Sequence, residues 1–497
     1  MGNVKTRNLL DSFEIEGRWY LPGKDVDVNG LVGTLKYSSD EILLHVQGSF
    51  TEYDTFSDDA TSERITIFGF SNDGDHFSLF GCSLSNARQS YPGFSSCTYY
   101  VSKFYGGDFI IEDETQLKQL EASFSFLNLD SWLRYQVMTY TFSKDRKNVQ
   151  LQIDMDSNHI DKKSYFVQSL EINLSEEIGY SIQHPQDWFL EETTKVSFHR
   201  NYHIAKNEKQ ATSYLSLFEF MQSYRRLLAL LIGSPMFFSY IEFEIPNEEI
   251  KFESTDRIHY HKVRLFYRQV GDIVNAKHLN PRRPQSILIR HADVTEHFNE
   301  IINKWYQLKD VFQDIAASFI SDSYLPGYLE NSFLNCAKGL EAYHRYFMIK
   351  GSSCRNNGSD NIIENDRQKI IDYIVKNVLP ANQDYFLSRV KYEEESSFRA
   401  RLTELLEALP ENLKTKLFGT LNSKEKRKFV SQVVETRNYY THRANKSNYK
   451  NVVSDIRPLM KIVHQMSWML QYYCITELGV ESSVIEKRLC EKWVYQD

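Results

Sequence analysis

Residues 298–312 read FNEIINKWYQLKDVF, and apolar side chains recur in them at intervals of three and four residues. That spacing predicts one amphipathic helix, which we expect to begin near Asp293 and to end near Ser321. The chain before it alternates apolar and polar residues, whereas the chain after it keeps the helical spacing. The sequence therefore predicts an α+β multidomain protein, in which a β-rich N-terminal module resembling a sandwich or barrel precedes an all-α helical bundle.

Short alternating runs, about ten residues apart, fill the first 200 residues. Residues 13–22 read FEIEGRWYLP and residues 64–70 read RITIFGF, and Asp73-Gly74 is a typical hairpin turn before the next run. This pattern indicates antiparallel strands. Further strands are predicted at 164–172, 195–199, 236–245 and 263–267, with one helix at 212–232.

The Tyr324-Leu325-Pro326-Gly327 segment interrupts the helical pattern, and we expect the bundle to begin there. Helices are predicted at 328–348, 366–378, 384–409, 424–443 and 449–478, followed by a short helical tail. We therefore expect three segments. They are a β-rich regulatory domain at 1–205, a mixed α/β continuation with the connecting helix at 206–321, and the helical bundle at 322–497.

Composition narrows the class of protein. The chain has 497 residues, 41% of them hydrophobic and 25% charged, which is typical of a globular protein with more than one core. Its six cysteines show neither Cys-x-x-Cys nor zinc-finger spacing, which favours a reduced, cytoplasmic protein. The most apolar stretch, 227–241, is too short and too broken by Gly233 and Pro235 to span a bilayer, so we expect no membrane partner. Triphosphate-loop and serine-hydrolase motifs do not occur.

Charge is unevenly distributed along the chain. The net charge is −8, but residues 1–320 carry −12 and residues 321–497 carry +4. Residues 421–450 contain eight lysines and arginines against two glutamates. Such a run is often just a solvated helix face. Because it overlaps the motif described next, contact with a polyanion such as RNA is the alternative that we favour.

Residues 437–442 read RNYYTH and combine the groups that RNA cleavage without a metal requires. Arg437 offers a permanently charged fork for phosphate oxygens. His442 can transfer protons near neutral pH, and Asn438 can orient the imidazole or hold a phosphate oxygen. We therefore predict Arg437, Asn438 and His442 as catalytic residues, and we expect no cofactor. Attack by the RNA 2′-hydroxyl would leave a 2′,3′-cyclic phosphate, and DNA, which lacks this group, would not be cleaved.

Helical geometry separates two of these groups. On an ideal helix Asn438 and His442 share a face with Glu435, whereas Arg437 lies about 140° away from His442. One helix therefore does not direct both groups at one atom unless the arginine bends round. A two-fold dimer would bring two copies of the motif together, so we predict a homodimer. Phe429, Val433, Tyr440 and Ala444 form the predicted buried stripe of this helix.

The Arg-Asn-x-x-x-His pattern on a late helix of a bundle resembles the HEPN superfamily, and Leu340-Glu341-Ala342-Tyr343-His344-Arg345 resembles the Glu-x-x-x-Lys/Arg feature of many HEPN domains. FEIEGRWYLP and Gly33-Thr34-Leu35 are more narrowly similar to the ApeA family. The resemblance implies a metal-independent, dimeric ribonuclease of anti-phage abortive infection, restrained by its N-terminal domain until a phage protein triggers it. The candidate substrate-binding residues are Glu341, Arg345, Lys428, Arg443 and Lys446.

Several readings stay open. Transfer RNA is the favoured substrate because its loops expose bases and flexible phosphates, with messenger and ribosomal RNA as alternatives. A catalytically silent HEPN module for RNA binding or dimerisation is the alternative function, and a nucleotide-binding regulator is the third.

His199 and His203 lie four residues apart, and His259-Tyr260-His261 places two imidazoles on one strand face. Without an organised set of carboxylates near them, the sequence predicts no metal site.

Overall fold

The computed structural model describes residues 4–50, 64–88, 95–114, 121–133, 138–142, 149–153, 163–183, 195–206, 214–251, 258–271, 287–308, 311–324, 327–348, 359–392, 397–419, 422–442, 445, 447 and 449–493. Contacts divide the chain into two compact units, residues 1–307 and 308–497. The first unit is rich in strands and the second is helical, as the alternation and spacing predicted.

The strands of the first unit are β1 (Phe13–Tyr20), β2 (Leu31–Tyr37), β3 (Ile42–Gln47), β4 (Ile65–Ser71), β5 (His76–Arg88), β6 (Ser96–Tyr100), β7 (Lys103–Gly107), β8 (Glu121–Phe126), β9 (Met138–Phe142), β10 (Val149–Ile153), β11 (Ser164–Val167), β12 (Ile172–Gln183), β13 (Lys195–Lys206), β14 (Phe238–Lys251) and β15 (Ile258–Tyr267). Its helices are α1 (Val26–Asn29), α2 (Leu129–Leu133), α3 (Tyr214–Ile232), α4 (His291–Val294) and α5 (Phe298–Gln307), with a 3-10 turn at Val4–Thr6.

Thirteen of the described strands form one antiparallel sheet, in the order β11-β12-β13-β8-β14-β15-β7-β5-β4-β1-β2-β3-β6. Because β5 also pairs with β6, the strands β5-β4-β1-β2-β3-β6 close into a barrel. Alternate residues such as Trp19, Leu35 and Leu44 are fully buried inside it. The predicted Asp73-Gly74 turn joins β4 to β5, with Gly74 at a φ of 86° that favours glycine. The pairing of β9 with β10 is separate.

Helix α3 covers part of the sheet. The Tyr224 ring of α3 contacts Tyr202 on β13 and Phe126 on β8, and all three side chains are buried. Helix α5 packs on α3, since the Trp305 indole donates a 2.9 Å hydrogen bond to the Ser223 hydroxyl. The abundant aromatic residues of this unit therefore serve mainly as a packed core between sheet and helices.

The second unit contains α6 (Val311–Tyr324), α7 (Leu329–Tyr343), α8 (Ser359–Asn377), α9 (Pro380–Tyr392), α10 (Phe398–Ala408), α11 (Glu411–Phe418), α12 (Ser423–His442), α13 (Ile456–Glu477) and α14 (Ser482–Trp493). A π-helical turn at His344–Met348 extends α7. Gly339 on α7 lets three helices approach closely, because a Cβ there would lie 2.6 Å from Leu470 on α13 and 2.7 Å from Ser318 on α6. No helix of the described residues is long and apolar enough to cross a bilayer.

Several predicted elements have different bounds. The strand predicted at 164–172 is β11 followed by the start of β12, since a turn with Glu171 at a φ of 54° intervenes. The connecting helix predicted from 293 to 321 is three described helices, α4, α5 and α6. The helix predicted at 384–409 is likewise α9 and α10, and α11 was not predicted. Spacing identifies helical character, but it does not show where a helix is interrupted. The three-segment division remains a prediction.

Candidate functional site

Helix α12 carries the RNYYTH motif and begins at a well-formed N-terminus. The Asn422 side chain accepts hydrogen bonds from the backbone N–H groups of Lys424 and Glu425, and the Glu425 carboxylate accepts one from the Asn422 backbone. This reciprocal arrangement satisfies groups that a helix start otherwise leaves unpaired. The cap fixes where α12 begins and hence which residues reach its last turn.

The buried face of α12 consists of Phe429, Val430, Val433 and Thr436. Phe429 and Val433 belong to the predicted stripe. Tyr440 is only half-buried; its ring contacts Phe333 on α7 edge-on and lies beside Tyr439. Partial burial, together with the nearby charges of Glu330 and Tyr439, raises the pKa of Tyr440. Ala444 lies outside the described residues.

Arg437 is held from three directions. Its Nη2 lies 3.3 Å from Oε2 of Glu341 on α7, and its Nη1 donates to the Asn438 side-chain oxygen at 3.4 Å. Its Cζ lies 5.7 Å from the centre of the Phe398 ring on α10, a distance at which a guanidinium is attracted to an aromatic face. The side chain remains 31% exposed. The guanidinium is therefore oriented and still accessible to a ligand.

Glu341 joins the Glu-x-x-x-Arg segment of α7 to the RNYYTH motif of α12. Its Oε2 faces Arg437, and its Oε1 lies 3.8 Å from Nη2 of Arg345, one helical turn further along α7. The Glu-x-x-x-Arg pair and the Arg-Asn pair are thus parts of one polar cluster. Nothing in the sequence spacing indicates this contact, because the two segments lie 96 residues apart.

His442 lies in the last turn of α12 and is exposed. On an ideal helix it is about 7.5 Å along the axis from Arg437 and about 140° around it. Within the described part of the chain, no hydrogen bond or ion pair joins it to the Arg437 cluster. The two residues therefore leave the helix about 140° apart, although the long Arg437 side chain bends towards the Asn438 amide.

Two residues that follow α12 in the chain, Asn451 and Val453, are hydrogen-bonded to side chains of the helix. Both carboxylate oxygens of Glu435 accept hydrogen bonds from Asn451, one from its backbone N–H at 2.7 Å and one from its side-chain amide at 2.8 Å. Partial burial acts to raise the pKa of Glu435, but the Asn451 hydrogen bonds outweigh it and the pKa is lowered. The buried Thr436 hydroxyl accepts the Val453 backbone N–H at 2.9 Å. These contacts hold the segment that follows the motif.

His344, which lies three residues after Glu341, is buried. Its Nε2 lies 2.6 Å from Oε2 of Glu404 on α10, and its Nδ1 has no hydrogen-bond partner among the described residues. It begins the π-helical turn next to Glu341. The geometry ties α7 to α10, the helix that carries Phe398. No pattern in the sequence indicated that Phe398 would contact Arg437 or that Glu404 would contact His344.

The three candidate binding residues of the basic run, Lys428, Arg443 and Lys446, lie either away from the Arg437 cluster or outside the described residues. Lys428 is exposed on α12, about two and a half turns before Arg437, so it is not part of the Arg437 cluster. Arg443 and Lys446 lie outside the described residues. In the same basic run, Lys426 pairs with Glu407, whereas Lys424 and Arg427 are exposed. The exposed bases extend along the N-terminal half of α12.

Two family models match large parts of the chain. A family model for ApeA N-terminal domain 1 matches residues 14–305, and a model for an Apea-like HEPN domain matches residues 334–484. The chain belongs to the ApeA family. The HEPN match includes Glu341, Arg437, Asn438 and His442. No curated protein and no solved structure matches the chain.

The family assignment confirms the resemblance seen in the sequence and the predicted α+β fold class. ApeA-like HEPN domains belong to a family of anti-phage nucleases, and the HEPN domain indicates a ribonuclease. HEPN domains commonly bind RNA and dimerise. The finer predictions about substrate, product and trigger go further than this family assignment.

Proposed function

We propose that this protein is a metal-independent endoribonuclease of anti-phage abortive infection and that Arg437, Asn438 and His442 perform the cleavage. The observation that carries the proposal is the Arg437 cluster. An accessible guanidinium is oriented by Glu341, Asn438 and the Phe398 ring, on the helix that also presents an exposed histidine.

The reaction follows from these groups. The RNA 2′-hydroxyl attacks the adjacent phosphorus, the bond to the 5′-oxygen breaks, and the products are a 2′,3′-cyclic phosphate and a 5′-hydroxyl. His442 accepts or donates the proton, since an imidazole is suited to both roles near neutral pH. Arg437 neutralises the charge that develops on the phosphate oxygens, with Asn438 as a second hydrogen-bonding group. DNA lacks the attacking hydroxyl and is not cleaved.

Glu341 has a positioning role in this scheme. A carboxylate would repel a phosphate, but Glu341 lies against Arg437 and can hold the guanidinium in one orientation. Arg345, on the other side of Glu341, is a candidate phosphate contact together with the exposed Lys428. Arg443 and Lys446 would extend that basic surface.

The complete site is composed across a homodimer. Because Arg437 and His442 point about 140° apart on one helix, two copies of α12 related by a two-fold axis supply both groups to one phosphate. Each dimer would then hold two equivalent sites, each with Arg437 from one chain and His442 from the other.

Transfer RNA is the preferred substrate in this proposal, because its loops present unstacked bases and flexible phosphates to a basic helix. The ApeA N-terminal domain restrains the nuclease until a phage protein is recognised. Destroying transfer RNA would then stop translation in the infected cell, where the enzyme acts in the cytoplasm.

The test compares the wild-type protein with His442→Ala. Purified proteins are incubated with total RNA in excess EDTA, and fragment ends are mapped for cyclic phosphates. The same variants are expressed with and without phage. The matched control is His464→Ala, because His464 is an exposed histidine of the same unit on α13. We expect loss of cleavage only in His442→Ala.

Two outcomes would contradict the proposal. Cleavage that persists in His442→Ala, or that needs added divalent metal, would exclude the mechanism. Phage protection without RNA fragments would instead favour a catalytically silent HEPN module.

A further inference from the structure

Three side chains with metal-binding atoms meet on one face of the large sheet in the N-terminal unit. Glu121 on β8, His203 on β13 and Glu244 on β14 have their ligand atoms within 4.8 Å of one another. These strands are neighbours in the order β13-β8-β14, and Glu244 lies directly opposite Glu121. The side chains are half-buried, with 35%, 20% and 17% exposure for Glu121, His203 and Glu244.

The closest of these distances suits a shared metal ion. Nε2 of His203 lies 3.3 Å from Oε2 of Glu121. Two ligands bound at about 2.0–2.2 Å with tetrahedral or octahedral angles are separated by about 3.0–3.5 Å. The Glu244 ligand atom lies within 4.8 Å of the other two, and the pairing of β13, β8 and β14 holds the three residues on adjacent strands.

The carboxylates in and beside the cluster outnumber the nearby lysine and arginine side chains, and this excess of negative charge favours a cation. Glu242 lies on the same face, so three carboxylates are close together there. Lys262 pairs with Glu244 at 2.8 Å and Arg264 pairs with Glu242 at 3.0 Å. Within the described residues, the ion pair of Glu121 is with His203, and Glu121 stands directly opposite Glu244, where like charges destabilise a sheet.

A fourth polar group faces the same carboxylates. Tyr260 on β15 lies two residues from Lys262, which pairs directly with Glu244, so Tyr260 is on the same face of the sheet as the cluster. Polar side chains near the cluster thus come from four neighbouring strands, β13, β8, β14 and β15.

We propose that Glu121, His203 and Glu244 bind one divalent transition-metal ion. An imidazole nitrogen with two carboxylate oxygens is a donor set that suits Zn²⁺ or Mn²⁺ better than Mg²⁺, which prefers oxygen ligands. The three protein ligands leave at least one coordination position open to water. The ion cross-links β13, β8 and β14, and the site is independent of the RNA-cleaving residues of the HEPN domain.

The experiment uses the full chain and Zn²⁺ itself. Protein stripped with EDTA and freed of chelator is titrated with Zn²⁺ by calorimetry, and thermal unfolding is followed with and without the ion. The variants are His203→Gln and Glu121→Gln, which conserve size. The control is His297→Gln, because His297 faces one carboxylate, Glu300, at 3.7 Å and no third ligand.

We expect one equivalent of Zn²⁺ per chain and a rise in the unfolding temperature for the wild type and the control, since an ion that binds only the folded state stabilises it. Both cluster variants should lose at least tenfold in affinity and show no rise. X-ray absorption should show nitrogen and oxygen ligands at about 2.0–2.1 Å. Stoichiometric binding that survives in Glu121→Gln, a sulfur shell, or no binding at all would overturn the site.

Discussion

Arg437 combines three interactions that a different cation would not reproduce. Its planar guanidinium meets the Glu341 carboxylate, the Asn438 amide oxygen and the face of the Phe398 ring at the same time. A lysine ammonium carries the same charge but lacks the flat fork that forms two parallel hydrogen bonds. The site therefore depends on the shape of this side chain as well as on its charge.

Replacing Arg437 by lysine tests that dependence. We expect Arg437→Lys to lower kcat/KM for RNA cleavage about 100-fold, the effect typical of removing one group that stabilises transition-state charge. Cleavage of a labelled RNA in EDTA measures it. Arg399→Lys is the matched control, since Arg399 donates to Ser431 in the same bundle and lies outside the cluster. Near-wild-type cleavage by Arg437→Lys would remove Arg437 from the mechanism.

Glu341 offers a second test at the same scale. Glu341→Gln keeps the size of the side chain but removes the charge that holds Arg437, so we expect kcat to fall about tenfold with little change in KM, as for a group that positions another. Because the ion pair is partly exposed, the free energy of unfolding should change by no more than about 1 kcal/mol.

The control for Glu341→Gln is Glu407→Gln, which removes the partner of Lys426 away from the cluster. Unchanged activity in both variants would show that the Glu341–Arg437 contact is only structural. An increase in Glu341→Gln would indicate that Glu341 restrains the arginine instead of orienting it.

At the scale of an element, α12 is defined by its contacts at both ends. Asn422 and Glu425 cap its start, and Glu435 and Thr436 hold the chain that follows its end. The exposed His442 is the last residue of the helix, about two turns beyond Glu435. The position of the histidine thus depends on hydrogen bonds made by residues that take no part in the reaction.

The Glu435 anchor predicts a pH dependence of stability. Since hydrogen bonding lowers the pKa of Glu435 in the folded protein below its ordinary value, its contribution is fully present above the unfolded-state pKa and is lost as pH falls through the folded-state value. We expect the unfolding temperature of the wild type to fall more steeply than that of Glu435→Gln when pH is lowered from 6 to about 3. Parallel curves would show that the anchor is not linked to protonation.

At the scale of the whole molecule, the proposed function requires two chains. Each chain has one Arg437 cluster and one exposed His442, and among the described residues no hydrogen bond or ion pair joins them. A site composed from two chains would bring Arg437 of one chain to His442 of the other.

The uneven charge, −12 over residues 1–320 and +4 over the remainder, is compatible with an acidic module that restrains a basic nuclease.

Mixing two inactive variants tests the shared site. In a heterodimer of Arg437→Lys and His442→Ala, one composite site receives Arg437 from one chain and His442 from the other. Random pairing should therefore restore about a quarter of wild-type activity. Co-expression with different affinity tags and RNA cleavage in EDTA measure the recovery. No recovery from a verified heterodimer would place both groups of each site in the same chain.

The sequence by itself determined the change from strands to helices, the RNYYTH motif and the family resemblance, because local periodicity and short motifs depend on residues close together in the chain. It also predicted the face that Asn438 and His442 share on α12. It did not predict the interruption between α9 and α10, or the exchange of Tyr440 for Thr436 in the buried face. Those outcomes depend on how neighbouring helices pack.

Only the tertiary structure decided which distant residues meet. It brought Glu341 and Phe398 to Arg437 and closed six strands into a barrel. It also placed Glu121 and Glu244 beside His203, where the sequence had two histidines four residues apart and no organised carboxylates. The physical reason is the same in each case: strand register and helix packing join segments tens to hundreds of residues apart, and no local pattern records that pairing.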